Sequence, residues 1–237
     1  MKIKTTGQCL GCGDKYLPVK GGAHLLQCPR MQESLHKAPV LVEGYFLRIS
    51  WKEQPNMYWM FVAMPGNLPL EKLDVFLRDV WLDCCGHLSE FIIEGEHYMS
   101  YPELGSSQQS MRKPVNQIFS PGLKFQYTYD MGSETNLVLH VVKDLSACPQ
   151  KKVTMLMQNE PPVLPCEACS KRAQIICTLC GKTTCPGCSK RHDCALQEEG
   201  DTYMLMSLAN SPRAGVCGYG GRYSKAIIQP ALRSIEI

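Results

Sequence analysis

The residues best suited to chemistry are cysteines and histidines crowded into one short stretch of the chain. Between positions 166 and 194 they form four spaced pairs, which are Cys166 with Cys169, Cys177 with Cys180, Cys185 with Cys188, and His192 with Cys194. Thiolate and imidazole are the donors that structural zinc sites use, and each tetrahedral ion takes four of them. Eight such donors therefore predict two zinc ions in this stretch.

The spacing of these donors favours an interleaved arrangement over two successive zinc ribbons. Successive sites would leave three residues between Cys188 and His192, which is short for two separate ribbons. Interleaving leaves fifteen residues between Cys169 and Cys185, the usual spacing of a two-knuckle zinc site, and eleven between Cys180 and His192. We therefore predict a cross-brace, in which one ion is bound by Cys166, Cys169, Cys185 and Cys188 and the other by Cys177, Cys180, His192 and Cys194.

A third set of donors lies near the start of the chain. Cys9 and Cys12 form a knuckle, and His24 and Cys28 follow four residues apart, so that on a helix they would share one face. The alternative is a buried pair of free cysteines with a surface histidine. Because about thirty residues bury little core, metal binding would supply the folding energy of this segment. We therefore expect three zinc ions in all.

Whether the 14 cysteines are free thiols or disulfides depends on the redox state of the compartment in which the protein is located. The first ten residues contain no apolar run of the kind that signal peptides have, so we expect a cytoplasmic protein with reduced thiols. The longest apolar run, Met57 to Met64, is too short to span a membrane. A net charge of +3 does not by itself indicate a nucleic-acid partner.

Hydrophobic periodicity predicts the elements that must hold these sites. Alternation from Tyr45 to Trp51 and the apolar run that follows it indicate a hairpin, and a stripe from Leu70 to Trp81 indicates a helix. Further strands are predicted at 90–94, 123–129 and 137–142, with an edge strand at 153–157. This order predicts an α+β fold: a central antiparallel or mixed sheet with one main packed helix, flanked by small zinc-binding modules.

The same patterns divide the chain into four segments. They are a CCHC-type zinc finger at 1–36, an α+β domain at 37–158, a double-zinc finger at 159–200 and a Gly-rich tail at 201–237 packed on that finger. Pro29 to Pro39 is interpreted as a linker. The Gly-rich run that ends at Gly221 could cradle a phosphate, but it lacks the Lys-Ser/Thr of a P-loop, so we favour an ordered turn.

Two parts of the chain resemble known families. The eight donors of the double finger resemble the B-box and MYND class of cross-braced fingers, which implies a protein-interaction or assembly module, although the single residue between His192 and Cys194 is tighter than most B-boxes have. The stretches 81–91 and 125–132 resemble the plasmid pRiA4b open-reading-frame-three-like family, also described as TnpR-type insertion-element passenger proteins. That likeness spans about residues 38 to 145 and brings no established activity. The chain departs from the family pattern at Met131, Ser133, Thr135 and Leu137.

Two groups of residues could suggest an enzyme. The first is Cys84 or Cys85 with His87, but closeness in sequence does not establish the contact that a nucleophile and its base require. We expect both thiols to follow the apolar face of the helix as small buried hydrophobes. In the second group, Glu94 and Glu96 are expected on one solvated face of a strand, with His97 on the opposite face. Because the zinc sites also have four protein donors each, we expect no catalytic activity.

Two functions without catalysis are then compatible with the sequence. The favoured one is an interaction or assembly module with a protein partner. The alternative is a nucleic-acid-binding accessory protein of a mobile element, suggested by five basic side chains on the finger: Lys171, Arg172, Lys182, Lys190 and Arg191. No aromatic side chain is interleaved among them, which argues against stacking on single strands. The oligomeric state is left open.

Overall fold

A ten-stranded sheet forms the centre of the protein in the computed structural model, which describes residues 3–196 and 204–221. Its strands are β1 (Gly7–Cys9), β2 (Lys15–Tyr16), β3 (Leu41–Trp51), β4 (Trp59–Pro65), β5 (Ser89–Ile93), β6 (Glu96–Met99), β7 (Gln109–Ser110), β8 (Lys124–Tyr129), β9 (Thr135–Pro149) and β10 (Thr154–Asn159). Their order across the sheet is β2-β1-β10-β4-β3-β9-β8-β5-β6-β7. All neighbours are antiparallel except β6 and β7. The predicted α+β class with a dominant sheet is confirmed.

The hairpin predicted at the start of the central domain forms the middle of this sheet. β4 is buried along its whole length because it lies between β3 and β10 and is covered on both faces. β3 continues on its other side into the long strand β9. A strand buried on both faces is expected to be a continuous apolar run, as β4 is.

One face of the sheet packs against the predicted helix. α3 (Glu71–Leu77) continues as a π-helical turn, Arg78–Leu82, and the side chains of Leu73, Leu77 and Trp81 are fully buried in the main core. Periodicity predicted a single helix over this range, and the wider π-helical turn changes only its last five residues. The chain leaves the helical turn after Leu82, and Cys84 and Cys85 follow in a loop.

A buried carboxylate joins this helix to the strands beneath it. Asp74 Oδ1 accepts hydrogen bonds from Ser89 Oγ at 2.6 Å and Tyr127 Oη at 2.7 Å, while Asp74 Oδ2 pairs with Arg78 Nε at 2.8 Å. Burial, and after it the charge of Asp74, holds the pKa of Tyr127 well above its usual value. Tyr127 therefore stays protonated and donates to the carboxylate.

The N-terminal segment adds strands to the same sheet and packs on its other face. β1 pairs with β10, so the strand predicted as an edge at 153–157 is internal, and that prediction is wrong. A three-residue strand such as β1 is too short to be recognised from periodicity. The predicted linker is also wrong in part: after α1 (Pro18–Leu25), the helix α2 (Pro29–His36) buries Met31 and Leu35 in a second core with Trp59.

The double finger has its own small sheet. In this sheet β11 (Ile175–Cys177) lies between β12 (Thr183–Thr184) and β13 (Leu205–Ser207). The finger also contains two short helices, α4 (Pro186–Ser189) and α5 (Asp193–Leu196). β13 lies in the part of the chain after residue 200 and pairs with β11. Within residues 3–196 and 204–221, no helix has the length and apolarity needed to cross a membrane.

Candidate metal centres

In the part of the chain that the structure describes, four clusters of cysteine and histidine side chains could each hold a metal ion. The donor atoms within each cluster lie within 4.8 Å of one another. The clusters are Cys9, Cys12, His24 and Cys28; Cys84, Cys85, His87 and Cys217; Cys166, Cys169, Cys185 and Cys188; and Cys177, Cys180, His192 and Cys194. Of the fourteen cysteines, only the buried Cys148 lies outside them. Three clusters contain the twelve residues predicted as ligands, and the second was not predicted.

The distances between donors fit tetrahedral metal coordination. Two sulfurs bound to one zinc ion lie about 3.8 Å apart, and a sulfur and a nitrogen about 3.5 Å apart. Cys9 Sγ and Cys28 Sγ are 3.9 Å apart, and Cys12 Sγ is 3.3 Å from His24 Nε2. A disulfide needs a sulfur–sulfur distance of about 2.05 Å, and all fourteen cysteines are free. Soft thiolate and imidazole donors without carboxylates suit zinc better than magnesium or calcium.

The N-terminal cluster is assembled where several short elements meet. Cys9 ends β1, and the turn that carries Cys12 closes with a hydrogen bond from the Gly13 N–H to the Cys9 carbonyl at 2.9 Å. His24 lies on α1 but Cys28 does not, because Pro29 begins a new helix and disfavours helical geometry in the residue before it. The predicted shared helix face is therefore wrong, yet the turn between α1 and α2 still brings both donors together.

The donors of the double finger lie in the interleaved grouping. Cys169 Sγ is 3.7 Å from Cys185 Sγ in one cluster, and Cys180 Sγ is 3.3 Å from His192 Nε2 in the other. Each cluster thus joins an early pair of donors to a late pair. The paired strands β11 and β12 carry donors of both clusters, because Cys177 ends β11 and Cys185 directly follows β12, so each set of donors constrains the chain that presents the other.

Backbone hydrogen bonds lower the pKa values of some of these cysteines, whereas neighbouring thiols raise those of others. A backbone hydrogen bond from Cys185 lowers the pKa of Cys166 to about 6, whereas hydrogen bonds with the Cys169 and Cys185 thiols raise that of Cys188 to about 12. In the second cluster, burial raises the pKa of Cys177, but backbone N–H groups of the Cys177–Cys180 knuckle bring it down to about 7. Thiolates packed this closely repel one another, and a bound divalent cation removes that repulsion.

The cluster that was not predicted joins the central domain to the C-terminal segment. Cys85 Sγ is 3.0 Å from His87 Nε2, and Cys217 Sγ is 3.6 Å from Cys85 Sγ and 3.5 Å from His87 Nε2. Cys84 Sγ lies 3.6 Å from Cys85 Sγ. The expectation that Cys84 and Cys85 are buried on a helix face is wrong, because the helical turn ends at Leu82 and the chain continues in a loop where Cys85 is exposed.

The second group considered for catalysis is not assembled into one site. Glu94 lies in the turn between β5 and β6 with a positive φ of 51°. His97 Nδ1 contacts Glu90 Oε1 across the hairpin at 2.6 Å. Among the described residues, neither Glu94 nor Glu96 joins His97 in a group of donors close enough to hold an ion.

Comparison with known proteins leaves the family of this chain open. No family model matches the chain, and no curated protein does. One similar solved structure is the crystal structure of a protein of unknown function from Methanosarcina mazei Go1. It has 20% identity and a TM-score of 0.40, over 57% of this chain and 71% of that one. Neither a family nor an activity follows from a likeness at that level.

The interleaved grouping can be tested with two single substitutions. We expect Cys169→Ala and Cys177→Ala each to lower zinc occupancy at both finger clusters, because each ion fixes the chain that presents the other's donors. Zinc content by elemental analysis and the metal–donor distances by X-ray absorption would be measured in both variants. A fully occupied site formed by Cys185, Cys188, His192 and Cys194 in both would instead indicate tandem ribbons.

Proposed function

We propose that the protein is a zinc-binding protein without catalytic activity, whose double finger acts as an interaction or assembly module. The observation that supports this most directly is the composition of the clusters at the finger and the N-terminus, each with four Cys or His donors and no carboxylate. A structural zinc ion uses four protein donors, whereas a catalytic zinc ion keeps one position for water or substrate. The metal is then a folding element and the surface around it is the functional part.

The core of the finger supports a folding role for the metal. Among the residues of the finger whose burial the structure describes, 159–194, the buried apolar side chains are Cys166, Ala173, Cys177 and Cys185, so three of the four are themselves donors. With so little hydrocarbon to bury, a segment of this size depends on metal for its stability. We therefore expect the finger surface to be displayed only in the metal-bound protein.

The contact between Cys85 and His87 could suggest a thiol nucleophile with its base. In such an arrangement one imidazole nitrogen faces the nucleophile and a carboxylate orients the ring through the other. Here the same nitrogen, His87 Nε2, faces Cys85 Sγ, Cys217 Sγ and Asp130 Oδ2, the last at 3.4 Å. Such convergence on one nitrogen fits a metal donor better than a general base.

The surface of the finger combines an apolar residue with basic ones. Leu179, in the knuckle between Cys177 and Cys180, is 55% exposed. The five basic side chains predicted as a patch are also exposed, and none of them makes a salt bridge within the described part of the chain. An exposed leucine within a basic surface suits a partner that offers an apolar contact and acidic groups.

The interaction role can be tested by adding a charge at this apolar position. We expect Leu179→Lys to abolish capture of the partner from native lysate by immobilised protein, because a lysine cannot fill an apolar pocket. Zinc content should not change, since the substitution leaves the donors and their backbone intact. Leu104→Lys, at a fully exposed leucine in the loop between β6 and β7 of the central domain, is the matched control and should capture the same protein as the wild type. Equal capture by all three proteins would contradict the role of the finger.

The basic patch supports the alternative, nucleic-acid binding by an accessory protein of a mobile element. Leu179→Lys distinguishes this alternative from the interaction role, because an added lysine at position 179 should strengthen binding to a short DNA duplex. That binding should also weaken steeply as salt is raised. Weak duplex binding with a shallow dependence on salt in the wild type would rule this alternative out.

A further inference from the structure

The C-terminal segment from Ser211 to Gly221 lies between the finger and the central domain. Ser211 Oγ donates a hydrogen bond to the Trp81 carbonyl at 2.6 Å, which anchors the start of the segment on the helical turn of the central domain. On the other side Gly215 lies against the finger: a Cβ atom there would be 2.9 Å from Ile176 Cδ1 of β11. The segment thus contacts both parts of the molecule.

Three of the donors in this cluster belong to the central domain, and Cys217 of the C-terminal segment is the fourth. The three are Cys84, Cys85 and His87, and Cys217 is 130 residues further along the chain than His87. Its backbone adopts the left-handed conformation, with φ at 49°, which is unfavourable for a residue with a Cβ atom. Strain of this kind persists where the surroundings require it, and here it aims the thiol at the other donors.

The surroundings of this cluster balance the charge that a metal centre would have. Three thiolates, one neutral imidazole and Zn²⁺ carry a net charge of −1. The fully buried Arg213 donates from Nη2 to Cys84 Sγ at 3.4 Å and to Asp130 Oδ2 at 2.5 Å. Asp130 Oδ1 is occupied by the N–H groups of Gly132 and Ser133, so the carboxylate holds Arg213 rather than serving as a metal ligand.

We propose that Cys84, Cys85, His87 and Cys217 bind a further zinc ion, and that this ion ties the C-terminal segment to the central domain. The strand β13, which pairs with β11 of the finger, ends at Ser207, four residues before this segment begins, so the ion also holds the finger against the sheet. This inference rests on the proposed zinc-binding function and extends it: one ion controls how the interaction module is placed.

The test uses the full chain with Cys217→Ser and Cys85→Ser, which remove donors from opposite sides of the site. Native mass spectrometry should count four zinc ions in the wild type and three in each variant. Hydrogen exchange at residues 205–207 and 211–219 should be at least about tenfold faster in both variants, since the segment is no longer held. Cys148→Ser, at the buried cysteine outside all clusters, is the control and should retain four ions.

The outcomes distinguish this inference from the proposed function. A wild type with three ions, whose number is unchanged in both variants, would overturn the fourth site while leaving the other three intact. Loss of the fourth ion without faster exchange would overturn its tying role. A wild type that binds no zinc would instead refute the proposed function as a whole. Absorption in the visible range typical of an iron–sulfur cluster would overturn the assignment of zinc.

Discussion

Cys28→Ala is expected to destabilise the whole central sheet and not only the N-terminal segment. Cys28 is 2% exposed and packs in one core with Trp59 and Phe61, which belong to β4 in the middle of the sheet. Under the proposed zinc-binding function, loss of its thiolate removes one of four donors and with it the ion that would join β1, α1 and α2. We expect the free energy of unfolding to fall by more than about 4 kcal/mol, the range reached when a metal site is lost.

The measurement is urea denaturation of the full chain, followed by fluorescence of the tryptophans, together with zinc content. Cys148→Ala is the matched control because Cys148 is equally buried in the same core but belongs to no cluster; it should cost only about 1 kcal/mol. The wild type in excess chelator should resemble Cys28→Ala. Equal denaturation midpoints for Cys28→Ala and wild type would show that the N-terminal cluster is not part of the core's stability.

Asp74→Ala is the substitution expected to harm the central domain most without touching a metal site. Its carboxylate accepts hydrogen bonds from Ser89 and Tyr127 and pairs with Arg78, and the side chains of Asp74 and Arg78 are 8% and 14% exposed. Without Asp74 the Arg78 guanidinium keeps only the Asp83 carboxylate, 3.8 Å from its Nη1, and loss of one partner of a buried ion pair costs about 3–5 kcal/mol. We therefore expect a loss of that size, with all zinc ions retained.

Glu33→Ala is a suitable comparison for this prediction. Glu33 and Lys37 are also four residues apart on a helix, but their side chains are 69% and 74% exposed. An exposed pair of this kind contributes about 0.3–0.5 kcal/mol, so its loss should be difficult to detect. Thermal melts of the two variants would show the difference, and a similar small change in both would mean that the Asp74 network contributes little net stability.

The parts of the fold that could be predicted are the strands and helices whose hydrophobic pattern lies within a single element. The strand from 59 to 65 is a continuous apolar run, and the helix from 71 to 82 has an apolar stripe, so burial is visible in either without knowledge of the neighbours. Other elements could not be found this way, and β1 and α2 are two examples. β1 is three residues long, and the segment after Cys28 has so few apolar residues that it resembles a linker, although Met31 and Leu35 are buried.

The sequence by itself determined which residues could bind metal wherever the donors are close along the chain. In the finger, the spacing of Cys and His pairs limits the possible connections, because a short loop cannot close around a tetrahedral ion in many ways. Only the tertiary structure showed that Cys84, Cys85 and His87 belong to a group of four possible metal donors. Their fourth neighbour, Cys217, is brought to them by the anchoring of Ser211 and Arg213 on the central domain, and contacts over such a separation depend on the packing of the whole chain, which no local pattern records.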